Sequence, residues 1–155
     1  MKEKLLISAC LLGEPCRYDG KSKSLPSKLL EQLRETYDLV PVCPESLGGL
    51  PIPREPSEQR GNRVYSRGGE DVTAQYRLGA ARTLEIAREN GCRLALLKER
   101  SPSCGCGEVH NGRFDGGLVP GDGVTAAVLK SNAVKIYGES RINELISVDI
   151  AISEG

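Results

Sequence analysis

The chain has 155 residues, 39% of them hydrophobic, enough for one domain, 1–155, to bury a core without disulfides. Its 21 Lys and Arg balance 21 Asp and Glu, and only 4% of residues are aromatic. This excludes the basic surface and stacking platforms of a protein whose main partner is nucleic acid.

The apolar start, Lys4-Leu-Leu-Ile-Ser-Ala9, is too short for a signal peptide or a membrane span, and no later run reaches spanning length. A cytoplasmic protein with no membrane contact is therefore expected, and nothing in the sequence specifies an oligomeric state. The same run, cut off by polar and Gly/Pro residues, reads as a strand buried in a parallel sheet, with Cys10 at its end. Pro26 then opens a helix with Leu29, Leu30, Leu33 and Tyr37 at helical spacing, followed by a second strand over Leu39-Val-Pro-Val42 and, at once, Cys43. From Pro44 to Gly69 four prolines and several glycines leave little periodicity, as in a long functional loop.

Asp71 and Thr73 cap a helix whose inward stripe is Val72, Tyr76, Ala80, Leu84 and Ala87 and which stops at Asn90-Gly91. A strand over Arg93–Leu97 leads into Ser101-Pro-Ser-Cys104-Gly-Cys106. Val109-His-Asn-Gly-Arg-Phe114 suggests a small hairpin turning at Asn-Gly. A third helix is predicted over Gly123–Leu129, a fourth strand over Ala133–Tyr137 and a terminal helix over Arg141–Ile146.

Strands alternating with helices predict a three-layer α/β domain with a mainly parallel, Rossmann-like sheet, small hairpins and long functional loops. Ligands bind such sheets beyond the carboxyl ends of the strands. Three separate strands each deliver a cysteine there, Cys10, Cys43 and Cys104, which favours a shared site over scattered core thiols.

Six cysteines in a reducing compartment are not a disulfide framework, and the absence of any C-x-x-C pair argues against a closed zinc site. An iron-sulfur cluster accepts thiolates from scattered positions, and three ligands would leave one iron of four open to substrate. Cys16 and Cys106 are possible additional ligands, and Cys92 beside Gly91 reads as structural. His110, the only histidine, reads as a surface residue of the hairpin.

Glu45, two residues after Cys43, is a candidate general acid or base, against the plainer reading of a solvated carboxylate. Ser101 could orient a substrate or simply make a turn before Pro102. Cys16-Arg-Tyr-Asp-Gly20 and Arg54-Glu55 each pose a choice between a substrate clamp and a structural ion pair. Gly121-Asp-Gly-Val-Thr125 opens a helix with amides suited to an anion, or merely caps it.

Cys10-Leu-Leu-Gly13 with Cys16-Arg-Tyr-Asp-Gly20, Pro41-Val-Cys-Pro-Glu45, Pro53-Arg-Glu-Pro56, Leu97-Lys98 with Ser101-Pro-Ser-Cys-Gly105, and Gly121-Asp-Gly-Val-Thr125 resemble the motifs of the DUF523 family, which includes thiouracil desulfurases. The resemblance spans nearly the whole chain. It implies a 4Fe-4S cluster on Cys10, Cys43 and Cys104, with one open iron and non-redox removal of sulfur from a small thiolated base such as thiouracil. It also implies Glu45 as the acid/base residue and Ser101 as a substrate-orienting hydroxyl, and the candidate substrate contacts are Arg17, Tyr18, Asp19, Arg54 and Ser103.

Competing readings are a non-catalytic metal-binding module closed by four thiols, a desulfidase for another small sulfur compound, and a thiol redox protein using Cys104 and Cys106.

Overall fold

A computed structural model describes residues 2–16, 18–20 and 24–146. In chain order the elements are β1 (Glu3–Ser8), α1 (Ser27–Thr36), β2 (Tyr37–Val42), α2 (Pro44–Leu47), β3 (Ser57–Arg60), β4 (Arg63–Ser66), α3 (Thr73–Glu89), β5 (Leu94–Leu97), β6 (Glu108–His110), β7 (Leu118–Pro120), α4 (Val124–Ser131) and β8 (Lys135–Gly138). Short 3-10 stretches occupy Ala9–Leu12 and Glu139–Glu144.

β1, β2, β5 and β8 form one parallel sheet in the order β2-β1-β5-β8. Successive side chains of β1 and β5 point to opposite faces, so each strand feeds two apolar layers. Leu5, Ile7 and Leu96 face Leu30 and Leu33 of α1 and Ile142 of the last 3-10 stretch. Leu6, Ala95 and Leu97 face Ala87 of α3 and Ala126 and Leu129 of α4. The result is three layers, as expected. Leu5, Leu6 and Ile7 are wholly buried, each worth about 1.5–3 kcal/mol of apolar transfer. Pro41, which has no N–H, is tolerated because β2 is an edge strand, paired among the described residues with β1 alone.

α1 covers one face and α3 and α4 the other, so the chain winds outward from β1 in both directions. The strand order therefore reverses between β1 and β5, and the crevice beyond their carboxyl ends is where doubly wound sheets bind ligands. Ser8 Oγ accepts the Lys98 N–H at 2.9 Å there and ties the two strand ends together.

The structure corrects several expected elements. Pro44–Gly69 is not one long loop but holds α2 and the antiparallel hairpin β3–β4. β3 (Ser-Glu-Gln-Arg) is wholly polar and the apolar residues of β4, Val64 and Tyr65, are adjacent, so neither strand carries apolar alternation and their pairing is legible only in three dimensions. The hairpin near Asn111-Gly112 is wider than a two-residue turn, since His110 pairs with Leu118 and seven residues lie between. The terminal helix is instead the 3-10 stretch Glu139–Glu144. Its register is governed by the end of β5: Glu139 accepts the Glu99 N–H at 2.6 Å, and Glu99 in turn accepts the Ser140 hydroxyl. Tyr37 belongs to β2 rather than α1, its buried hydroxyl donating to Leu145 O at 2.6 Å. Among the described residues no helix is long and apolar enough to cross a membrane.

Candidate functional site

A cleft of about 520 Å³ opens beyond the carboxyl ends of β1, β2 and β5, and its walls include Cys10, Cys16, Cys43, Glu45, Ser101 and Cys104. Each side chain arrives by a different route. Cys10 lies in the 3-10 turn that follows β1, Cys43 is the residue between β2 and α2, and Cys104 lies in the loop after β5.

α2 reaches the cleft because it lies directly on α3. A Cβ at Gly79 would fall 1.9 Å from Pro44 O, and one at Gly48 would fall 2.0 Å from Gln75 O. Only paired glycines permit this approach. The 101–105 loop is fastened to α4 instead: Val124 N donates to Pro102 O at 2.8 Å, and Thr125 N and Ala126 N donate to Ser103 O at 2.9 and 3.1 Å. The first-turn amides of α4 are thereby used within the chain, so Gly121–Thr125 serves as a cap and not as an anion site.

The thiols sit against one another. Hydrogen bonding with Cys10 pushes the Cys16 thiol up to about 11, and hydrogen bonding with Cys16 pushes the Cys43 thiol well above its ordinary value. Burial pushes the fully enclosed Cys104 thiol up to about 12. Cys43 also donates to Ser46 Oγ at 3.3 Å. Such a group of neutral thiols needs a cation to become thiolates together, since a coordinating metal deprotonates its thiol ligands. Among the described residues no three His, Cys, Asp or Glu side chains close tightly enough for a single metal ion. Zinc draws four ligands to within about 2.3 Å of one centre. Cys10, Cys43 and Cys104 arrive from three strand ends and face one cleft, and a donor set of scattered thiols of this kind fits an iron-sulfur cluster.

Glu45 is held by an arginine. Arg54 donates to Glu45 Oε1 from Nε at 2.9 Å and from Nη2 at 2.7 Å, with side-chain exposures of 7% for Arg54 and 15% for Glu45. Arg54 also donates to Pro51 O at 2.9 Å and Cys16 O at 3.2 Å. Its guanidinium is thus engaged by Glu45 and by backbone while the residue lines the cleft. Burial and the Glu45 charge push the Tyr76 phenol well above its ordinary range. Tyr76 was expected only as part of the helix core, yet it lines the cleft beside Glu45.

Ser101 Oγ accepts the N–H groups of Ser103 at 3.0 Å and Cys104 at 3.1 Å. Ser101 therefore makes the turn, and it also lines the cleft. Ser103 was expected to contact substrate, but it is 1% exposed, shares a hydrogen bond of 2.9 Å with Thr125 and does not line the cleft. Its side chain packs against α4.

Tyr18 lines the cleft, Asp19 does not, and Arg17 lies outside the described residues. Cys106 lines a separate small depression with Glu99, Arg100, Glu108 and Ser140, and it packs against the same apolar cluster as Cys104. Cys92 is buried at the end of α3. His110 is the clearest departure from expectation, because it is half-buried on the cleft wall and its Nδ1 is enclosed with no hydrogen-bond partner among the described residues. Glu58, Arg67 and Phe114 also line the cleft, and no local pattern marked them.

The family model for 2-thiouracil desulfurase matches residues 5–141. An uncharacterised protein of Bacillus subtilis (strain 168), YbbK, is 40% identical over 152 residues, covering 92% of this chain and 99% of that one. A solved structure of the 4Fe-4S-dependent thiouracil desulfidase TudS superposes with a TM-score of 0.89 at 44% identity, covering 99% of this chain and all of that chain. With its doubly wound α/β fold and its cleft of converging thiols, this chain belongs to the 2-thiouracil desulfurase family.

Proposed function

We propose that this chain is a 4Fe-4S-dependent desulfurase that converts the C=S group of a small thiolated pyrimidine, such as thiouracil, to C=O. The observation that carries this reading is the meeting of thiols from three strand ends with an arginine-held carboxylate on one cleft. Water and the thiobase give the oxo base and hydrogen sulfide, with no change of oxidation state and no need of an electron donor.

Cys10, Cys43 and Cys104 would hold the cluster. When bound, it supplies a thiophilic Lewis acid at an open iron, suited to the sulfur of a thiocarbonyl. Glu45 accepts the proton of the water that attacks the thiocarbonyl carbon, and Arg54 fixes the direction of that carboxylate. Ser101 donates its hydroxyl proton toward a polar atom of the substrate ring. Tyr18 contributes an exposed ring to the cleft mouth. The balanced charge of the chain and the modest cleft suit a free base rather than a nucleic acid, in a cytoplasmic setting.

Cys16 lies against Cys10 and Cys43, which favours one rival reading, a module whose fourth thiol closes the coordination shell. Anaerobic reconstitution with iron and sulfide, followed by loss of the near-ultraviolet band of 4-thiouracil, tests both. About four irons per chain with turnover supports the desulfurase. A full complement of iron without turnover, lost on Cys16→Ala, supports the closed module.

A further inference from the structure

The seven residues joining β6 to β7 are held in a defined shape. Glu58 of β3, only 8% exposed, accepts the N–H groups of Gly112 at 2.9 Å and Phe114 at 3.1 Å on one carboxylate oxygen. Arg60 Nε donates to Gly112 O at 2.9 Å. Gly112 has φ 90, and a Cβ there would lie 2.6 Å from Gln59 O, so a glycine is needed for the loop to press onto β3. Asn111 and Asp115 side chains accept the N–H groups of Arg113 and Gly117, each at 2.8 Å.

The residue this arrangement holds out is Phe114, the only phenylalanine in the chain. Its φ of 55 is left-handed, a conformation unfavourable for a non-glycine residue that marks sites where surrounding structure imposes a geometry. The ring lines the same cleft as the thiols and Glu45, and Arg67 stacks on it with its guanidinium carbon 5.5 Å from the centroid. A buried carboxylate, a required glycine and a strained backbone all serve to place one flat apolar ring at the site.

We propose that Phe114 is a specificity-determining residue whose ring stacks on a planar heteroaromatic substrate, with Glu58 as the residue that positions it. The inference rests on the desulfurase reading of the cleft and names what selects the ring. Base–aromatic stacking is worth about 1–3 kcal/mol per base, and dihydrouracil offers a similar polar edge to uracil on a puckered, non-aromatic ring.

The test uses cluster-loaded enzyme and compares uracil with 5,6-dihydrouracil, by calorimetric affinity and by inhibition of 4-thiouracil turnover. Wild type is expected to bind uracil at least about tenfold more tightly. Phe114→Leu and Phe114→Asn are each expected to lose that preference and raise KM for 4-thiouracil about tenfold, with iron content and kcat little changed, while Phe114→Tyr retains it. Asparagine tolerates the left-handed backbone, so its variant keeps the loop while removing the ring. Glu58→Ala is expected to lose part of the preference, and Glu58→Gln, which keeps an acceptor oxygen, to restore it. Unchanged preference in both Phe114→Leu and Phe114→Asn, in an enzyme that turns over, overturns the stacking role alone. A loaded wild type that neither turns over 4-thiouracil nor binds uracil overturns the desulfurase reading and this inference with it.

Discussion

Arg54 and Glu45 form a pair in which neither side chain is more than 15% exposed, so each depends on the other. Removing the cation would leave a largely enclosed carboxylate unpaired, and Arg54→Ala is expected to destabilise the fold by on the order of 3 kcal/mol in denaturant titrations. Arg54→Lys keeps the charge but not the fork, and is expected to bind iron normally while kcat falls more than KM changes. Glu45→Gln keeps an acceptor for Arg54 but takes no proton from water, so kcat should fall about 10²–10⁴-fold with a full complement of iron. Unchanged turnover there would remove Glu45 from the chemistry. Ser101 needs a different pair of variants. Ser101→Ala strands the Ser103 and Cys104 amides at a cost of about 1–3 kcal/mol. Ser101→Asp keeps the acceptor without the hydroxyl donor, so it should stay folded and lose turnover. If Ser101→Asp matched wild type in turnover, the serine would be a turn residue only.

At the scale of elements, the contact between α2 and α3 governs where Glu45 stands. Gly79→Ala puts a methyl on top of Pro44 O, an overpacking expected to cost about 1–3 kcal/mol. The displaced α2 carries Cys43 and Glu45 with it, so thermal unfolding should move down and iron content and kcat should fall together. Gly91→Ala makes the matching control, since nothing lies within 4 Å of that position and only the left-handed backbone is strained. A Gly79→Ala protein with normal iron and activity would show that α2 is located by other contacts. The hairpins act in the same way, β3–β4 carrying Glu58 and β6–β7 carrying Phe114 to the cleft.

For the whole molecule, the sheet order gathers residues far apart in sequence at the point where the winding reverses. Cys10→Ala, Cys43→Ala and Cys104→Ala should each abolish cluster binding on anaerobic reconstitution. Cys92→Ala and Cys106→Ala should leave iron content and visible absorption intact, because neither thiol lines the cleft. Full iron in all three of the first set would disprove the ligand assignment.

The parallel core is legible in the chain's own pattern, because buried strands are short apolar runs and their helices repeat at 3.6 residues, both local properties. Cysteines placed directly after such runs can then be gathered at one sheet edge by topology alone. Polar strands such as Ser57–Arg60 and Arg63–Ser66 carry no such signal, and their pairing comes from contacts across a turn and with α3.

The sequence by itself determined the layered α/β architecture and the edge at which Cys10, Cys43, Cys104 and Glu45 gather. Only the tertiary structure decided which neighbouring side chains face that edge. Ser103 turned into the core, Cys106 into another depression, and Tyr76, His110 and Phe114 into the cleft. Periodicity records which residues share a face. The direction in which a loop presents a side chain depends on hydrogen bonds and close backbone approaches made across the fold, and these have no local pattern to be read.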